Sequence, residues 1–142
     1  MRGPVKTTLV ATLLITVALA YFWPWIKMEL AGSAHYTERD KREYAFYTPT
    51  ILKNMPRISE LYEFDFYNVS GPGALVYSVT FYNTNYTSRV SSYLADHGYI
   101  KQASCVVEGD CWRGSDPVQM VTVSAVSKIN VVMIQVDNSP QF

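Results

Sequence analysis

The chain has 142 residues, with 12 Lys or Arg against 12 Asp or Glu, so its formal net charge is zero. From residue 44 onward, six basic side chains stand against eight acidic ones, which argues against the basic surface that nucleic-acid binding requires. Aromatic residues make up 14% of the chain, and 11 of them are Tyr. Because Tyr combines an apolar ring with a hydroxyl, this excess favours either a well-lined sheet or a contact surface.

An uncharged stretch of 20 residues, 7–26, follows a short basic N-terminus, residues 1–6. As a helix it would be about 30 Å long, which matches the hydrocarbon thickness of a bilayer. The run YFWPWIK at its far end has the aromatic and basic residues typical of a membrane–water interface. The sequence therefore predicts a single-pass transmembrane anchor over residues 7–26.

The same segment also has the layout of a signal peptide, with small-x-small patterns at Ala18–Ala20 and Gly32–Ala34. Cleavage after Ala20 would leave the apolar sequence YFWPW exposed at a new N-terminus, so we favour the uncleaved anchor. No Cys stands near either site to be acylated, which excludes a lipoprotein.

The basic residues within 27–43 argue for a cytoplasmic C-terminal side. Most of them lie far from the segment, however, and the short basic N-terminus favours the opposite orientation.

Residues 27–43 are polar, carry charges of both signs and lack apolar periodicity, so we expect a linker or an exposed helical extension. After it, Thr48 as N-cap and Pro49 as the first helical residue predict a short helix that Pro56 ends.

Residues 61–69 alternate, with Tyr62, Phe64 and Phe66 on one face, and residues 74–82 repeat this pattern after the turn SGPG. The two runs predict an antiparallel hairpin. Residues 117–138 contain two further β-rich runs that break near residue 127, which predicts a second hairpin.

Between the hairpins, residues 83–99 predict an amphipathic helix, with Gly98 as its stop. The side chains at helical spacing are Tyr86, Val90, Tyr93, Leu94 and His97. Residues 100–116 offer a possible extra strand and a cysteine turn. We therefore predict an α+β domain over residues 44–142, with one antiparallel sheet of four to five strands and helices packed on one face.

Cys105 and Cys111 are the only two cysteines, and Gly109-Asp110 forms a turn between them. This arrangement favours a local disulfide and thus an oxidising compartment. The alternative is a pair of buried thiols in a reducing compartment. The spacing fits neither a C-x₂-C metal site nor a thioredoxin-type motif.

No catalytic, cofactor or metal motif stands out, so we expect a protein that is not an enzyme. Asp96-His97 with Ser91, Ser92 or Cys105 would be the material of a small hydrolase, but the nucleophile elbow G-x-S-x-G is absent. We expect no cofactor.

The candidate interface residues come from the strand pattern. Tyr67, Tyr82 and Tyr99 exceed what the helix-covered side of the sheet can hold, so some of their rings should be exposed. Glu63 and Asp65 project from the strand face opposite Phe64. Paired acid–base carboxylates or calcium ligands are alternatives, but a solvated face is the simpler interpretation.

A hydrophobic N-terminal helix, an antiparallel sheet and a late cysteine loop together resemble the layout of type IV pilins. Two motif positions depart from that family, because Pro4 follows Gly3 and Thr8 stands where the family carries Glu. We therefore assign the chain to no family.

The sequence predicts a membrane-anchored extracytoplasmic protein-interaction module, which acts as a partner or accessory subunit of an envelope complex at the inner membrane. An immunity or inhibitor protein that neutralises a toxin or enzyme at the outer face of that membrane would have the same architecture. A small hydrolase that uses His97 is the third alternative.

Overall fold

A computed structural model of the chain describes residues 2–71, 73–105 and 108–139. The chain divides into two compact units, Met1–Ala31 and Gly32–Phe142. The first is a single helix and the second is an α+β domain.

The helix of the first unit, α1, runs from Arg2 to Leu30. The hydroxyls of Thr8, Thr12 and Thr16 each donate to the carbonyl oxygen four residues earlier, at 2.7, 2.9 and 2.8 Å. Their polar groups are therefore satisfied within the helix, as an apolar surrounding requires. Residues 3–30 are long and apolar enough to cross a membrane, and their most apolar 18-residue stretch is 0% buried. A signal segment would have the same properties, so the two interpretations of this helix both stand.

The second unit is built on one antiparallel sheet of seven strands. In chain order they are β1 (Ser33–Tyr36), β2 (Tyr62–Val69), β3 (Ala74–Tyr82), β4 (Ile100–Lys101), β5 (Asp110–Arg113), β6 (Gln119–Val126) and β7 (Val131–Asn138). Their order across the sheet is β1-β2-β3-β7-β6-β5-β4. The helices of this unit are α2 (Lys41–Tyr47), α3 (Thr50–Lys53) and α4 (Ser88–Asp96).

The predicted α+β class is confirmed, but the predicted count of four to five strands is wrong because the sheet has seven. The strands that the pattern underestimated are β1, β4 and β5, with 4, 2 and 4 residues. Strands this short at the edge of a sheet do not show a readable alternation. Strand β1 and the start of α2 also lie within residues 27–43, where we had expected a linker or helical extension.

Both predicted hairpins are present, β2–β3 and β6–β7, with all residue pairs in antiparallel register. Helix α4 ends where expected, and Gly98 adopts a positive φ of 83°, which glycine tolerates best. The expectation for Tyr86 is wrong: the helix begins at Ser88, and the Tyr86 ring is 74% exposed. Thr48 is not the N-cap of α3, since Pro49 holds that position. The Thr48 hydroxyl instead lies 2.8 Å from the buried hydroxyl of Tyr36.

The core lies on one face of the sheet. Its strand residues are those that alternate inward, and residues of the helices and the loop after α3 complete it: Phe64, Phe66, Val79, Phe81, Trp112, Val121, Val123, Val132, Ile134 and Val136, with Leu52, Met55, Val90 and Leu94. Phe64 is fully buried, and the rings of Tyr36, Tyr44 and Tyr62 lie 5.6, 5.3 and 5.9 Å from it. These distances are in the range of favourable aromatic contacts.

Arg57 closes this core from the loop after α3. Its guanidinium donates to the carbonyl oxygens of Leu52 and Met55, at 2.9 and 3.1 Å, and to the hydroxyl of Tyr44 at 3.0 Å. The guanidinium carbon lies 5.6 Å from the centre of the Phe64 ring, within the range of a cation–π contact. One side chain thus ties α2, α3 and β2 together.

We expect Phe64→Ala to lower the free energy of unfolding by about 3 to 5 kcal/mol, because it removes the ring around which the others pack. The matched control is Tyr86→Ala, which should change it by less than about 0.5 kcal/mol because that ring is exposed. Urea unfolding of the full chain in detergent micelles, followed by far-UV circular dichroism, measures both. Equal stability of the two variants would contradict the assignment of Phe64 to the centre of the core.

Candidate functional site

The sheet has a second face, opposite the helix-covered core. We call it the open face. One row of successive register partners crosses it from β1 to β5: His35, Asp65, Ser78, Gln135, Thr122 and Cys111. The small side chains of Ser78 and Thr122 are buried between their longer neighbours. The surface of this face is therefore formed by the side chains around them.

A cluster of four polar side chains lies at the β1–β3 end of the open face. His35 Nδ1 lies 2.7 Å from Asp65 Oδ1, and His35 Nε2 lies 3.3 Å from Glu63 Oε2. The Tyr82 hydroxyl donates to the same Glu63 oxygen at 3.1 Å. We call His35, Glu63, Asp65 and Tyr82 the His35 cluster.

The pKa is raised for two members of the cluster, His35 and Tyr82. The hydrogen bond to Asp65 raises the pKa of His35 above its ordinary 6.5, and the charges of Asp65 and Glu63 raise it further. Burial raises the pKa of Tyr82 above 10.0, and the hydrogen bond to Glu63 adds to this. At neutral pH the Tyr82 hydroxyl is therefore a neutral donor to a carboxylate.

Tyr67 extends the row of Glu63 and Asp65 along β2, two residues beyond Asp65. Its ring is 49% exposed, and Ser33 and Val76 are its register partners on the neighbouring strands. An exposed ring beside two carboxylates combines apolar area with charge. This is the composition expected for a surface that contacts another protein.

Of the predicted interface residues, the structure brings Glu63, Asp65, Tyr67 and Tyr82 to this face. Tyr99 lies elsewhere, since its hydroxyl donates at 2.6 Å to Gln119, which shares the helix-covered face with Val121. The Tyr99 ring also packs closely over Gly114, where an added Cβ would lie 3.0 Å from it. Tyr99 thus has a local packing role in this structure.

Sequence reasoning missed His35, because it lay in the expected linker, and also the apolar members of the open face. Val126 and Met133 are 47% and 39% exposed there. The alternation in β7 contains the signal for Met133, which stands between the buried residues Val132 and Ile134. Val126 follows Ala125 at the end of β6, where no buried residue follows it to mark the alternation. With them, the open face contains apolar, aromatic and charged side chains.

The residues of the hydrolase alternative do not form a triad-like arrangement. Ser92 and Asp96 line a surface depression of about 380 Å³ together with Arg89 and Tyr93. His97 is not among the lining residues, and its Nδ1 lies 2.7 Å from the carbonyl oxygen of Tyr93. That nitrogen can only donate to a carbonyl. The His97 ring also contacts the Tyr93 ring, with 4.1 Å between the ring centres and an angle of 44° between the ring planes.

Cys105 and Cys111 form a disulfide, with a Cα–Cα distance of 5.8 Å, so neither offers a thiol. The bridge lies where β5 extends past the two-residue strand β4. An added Cβ at Gly109, whose φ is 126°, would lie 2.5 Å from the carbonyl oxygen of Val123. Only glycine fits this turn, which brings the chain back from the bridge into β5.

Within residues 2–71, 73–105 and 108–139, no group of three or more His, Cys, Asp or Glu side chains is arranged to hold a metal ion. In the His35 cluster, both imidazole nitrogens face carboxylate oxygens. What the arrangement offers chemically is therefore charge and hydrogen bonding at a surface.

No protein-family model matches this chain, and neither a curated protein nor a solved structure is significantly similar to it. The class that the structure defines is an α+β domain with an open-faced seven-stranded sheet, on a chain that begins with a long apolar helix.

The disulfide leads to a direct test. Replacing both cysteines, Cys105→Ser with Cys111→Ser, should lower the free energy of unfolding by about 2 kcal/mol, because the bridge closes only a short loop. Alkylation of the unfolded wild-type protein should label neither residue without reductant and both after reduction, as read by intact mass. Labelling of both residues without reductant would contradict the bridge.

Proposed function

We propose that the protein is a membrane-anchored, extracytoplasmic interaction module, which binds a protein partner of an envelope complex through the open face of its sheet. The observation that carries this proposal is the mixed surface at the β1–β3 end of that face, where Tyr67 lies beside the His35 cluster. The apolar helix and the disulfide support the proposed location.

The apolar helix supports the anchor. Leu9, Leu13 and Leu14 are among its exposed side chains, and such a continuous apolar surface is costly in water. Lipid hydrocarbon removes this cost, since every backbone group of a helix is satisfied within it. The Cys105–Cys111 bridge supports an oxidising compartment for the domain.

The open face supports binding of a protein. A solvated face that only isolates the core from water needs no aromatic ring, whereas this one has Tyr67 on the same strand as Glu63 and Asp65. Tyr rings in interfaces supply apolar area at a low cost in side-chain entropy. The carboxylates of Glu63 and Asp65 contribute negative charge to this surface, which favours a partner with basic side chains.

The location makes a prediction about topology. A phosphatase reporter fused after Phe142 should be active, because residues beyond α1 lie outside the cytoplasm, while a reporter with cytoplasmic activity should be inactive there. The protein should stay in the membrane fraction after alkaline carbonate washing and retain Tyr21 and the residues before it. A soluble product that starts at Tyr21 would contradict the anchor.

The interface makes a prediction about capture. Tyr67→Ala should leave the membrane level and the free energy of unfolding of the protein unchanged, because the ring is exposed, but should weaken recovery of the partner at least about tenfold. Tyr82→Phe, which removes only the hydroxyl, should have a smaller effect because the Tyr82 ring is partly covered.

The measurement is co-purification from solubilised membranes, together with a photo-crosslinking residue at position 67. The matched control is position 86, whose ring is more exposed but lies outside the open face: Tyr86→Ala should leave recovery unchanged, and a crosslinker there should give no adduct. Equal recovery with Tyr67→Ala and Tyr86→Ala would contradict an interface on the open face.

A further inference from the structure

His35 is held by carboxylates from both sides of its ring. Nδ1 lies 2.7 Å from Asp65 and Nε2 lies 3.3 Å from Glu63. An ionised carboxylate only accepts hydrogen bonds, and a neutral imidazole has one N–H. The neutral form that donates from Nδ1 to Asp65 would turn the lone pair of Nε2 toward the Glu63 oxygen. The doubly protonated imidazolium instead hydrogen-bonds to Asp65 and forms an ion pair with Glu63, so it is the form that these contacts favour.

The surroundings of His35 contain few other charges. Strand β2 presents Glu63 and Asp65, and Asp40, which precedes α2, adds a weaker negative field. From β3, the Tyr82 hydroxyl reaches Glu63. One imidazolium thus stands against two carboxylates that lie directly beside it. Among residues 2–71, 73–105 and 108–139, no Lys or Arg forms an ion pair with either carboxylate.

This cation is also accessible. The side chain of His35 is 59% exposed, whereas those of Glu63 and Asp65 are 33% and 20% exposed. His35 stands on β1, an edge strand that pairs only with β2. Loss of its proton therefore needs no rearrangement of the core.

We propose that His35 is an internal cation of the open face whose charge depends on pH. When protonated, it pairs with Glu63 and Asp65. When deprotonated, it no longer neutralises these two carboxylates, and a Lys or Arg of the partner pairs with them instead. The partner half of this inference rests on the proposed function. The internal half concerns only the three side chains and holds without a partner.

The sign of the pH dependence follows from the contacts. Asp65 raises the pKa of His35 in the folded protein above its ordinary 6.5. The stabilisation is fully present below about pH 6.5 and is lost as the pH rises through the raised value. Above it, the open face carries two uncompensated negative charges, which attract a basic partner most strongly.

The first test uses the full chain in micelles and needs no partner. Nuclear magnetic resonance should find that His35 titrates above pH 6.5, and that the side-chain carboxyl carbons of Glu63 and Asp65 report the same midpoint. Asp65→Asn should lower that midpoint by about 0.5 to 1 pH unit. The matched control is Asp96→Asn, which removes a carboxylate outside the His35 cluster and should leave the His35 midpoint unchanged.

A His35 midpoint at or below 6.5, or one that Asp65→Asn does not move, would overturn the inference. His35→Gln should remove the shared transition from both carboxyl carbons. If His35→Gln fails to fold, Asp65→Asn alone decides the question, because that variant keeps His35 and the shift of its titration midpoint is measured directly.

The second test adds the partner. The yield of the photo-crosslinked adduct at position 67 should rise at least about threefold between pH 5.5 and pH 8 in the wild type and be independent of pH in His35→Gln. A yield independent of pH in the wild type would overturn the partner half. If the titration is as expected but no adduct forms at any pH, the proposed function fails while the internal cation stands, so the two failures are distinct.

Discussion

The burial of Phe64 is the interaction on which the rest of the domain depends. Its ring lies on β2 beneath three tyrosine rings, one from β1, one from α2 and one from its own strand. Arg57 stacks over it and at the same time binds the carbonyl oxygens at the end of α3. Because a single site joins the edge strand, two helices and the first hairpin, the position of each is set by the packing of the others.

The helices cover one face of the sheet and leave the other open, and the side chains on the two faces differ accordingly. Inward positions have large apolar side chains, while the middle of the open face has Ser78, Thr80 and Thr122 between longer neighbours. Antiparallel sheets commonly have one packed and one solvated face. The margin of this open face at β1 and β2 differs from its middle, because Tyr67 and the His35 cluster lie there instead of small hydroxyl residues. The difference in side chains between middle and margin is the reason to look for a partner there.

Among the described residues, the apolar stretch of α1 and the margin of the open face at β1 and β2 are both exposed, and they differ in chemistry. Helix α1 is apolar over a length that hydrocarbon can match. The margin of the open face combines the exposed Tyr67 ring with His35 and two carboxylates. Hydrocarbon cannot satisfy these polar groups, whereas a polar protein surface can. This difference in chemistry is why we propose a lipid bilayer for the first surface and a protein partner for the second. The disulfide at the β5 edge adds local stability far from this site along the sheet.

The sequence by itself determined the features that depend on local spacing. These are the long apolar helix, the two hairpins, the end of α4 at Gly98 and the disulfide between the nearby residues Cys105 and Cys111. Each depends on residues close together in the chain, where spacing alone sets which side chains share a face. Alternation in β2 also gave the row of Glu63, Asp65 and Tyr67.

Tertiary structure alone decided the rest. The short strands β1, β4 and β5 exist because neighbouring strands offer them hydrogen-bonding partners, not because their own 2 to 4 residues favour a strand. His35 meets Asp65, 30 residues away, only through the pairing of β1 with β2. The same pairing order put Tyr82 beside Glu63 and left Tyr99 against Gln119 on the covered side. Contacts between distant segments depend on strand order, and strand order is set by how the whole core packs.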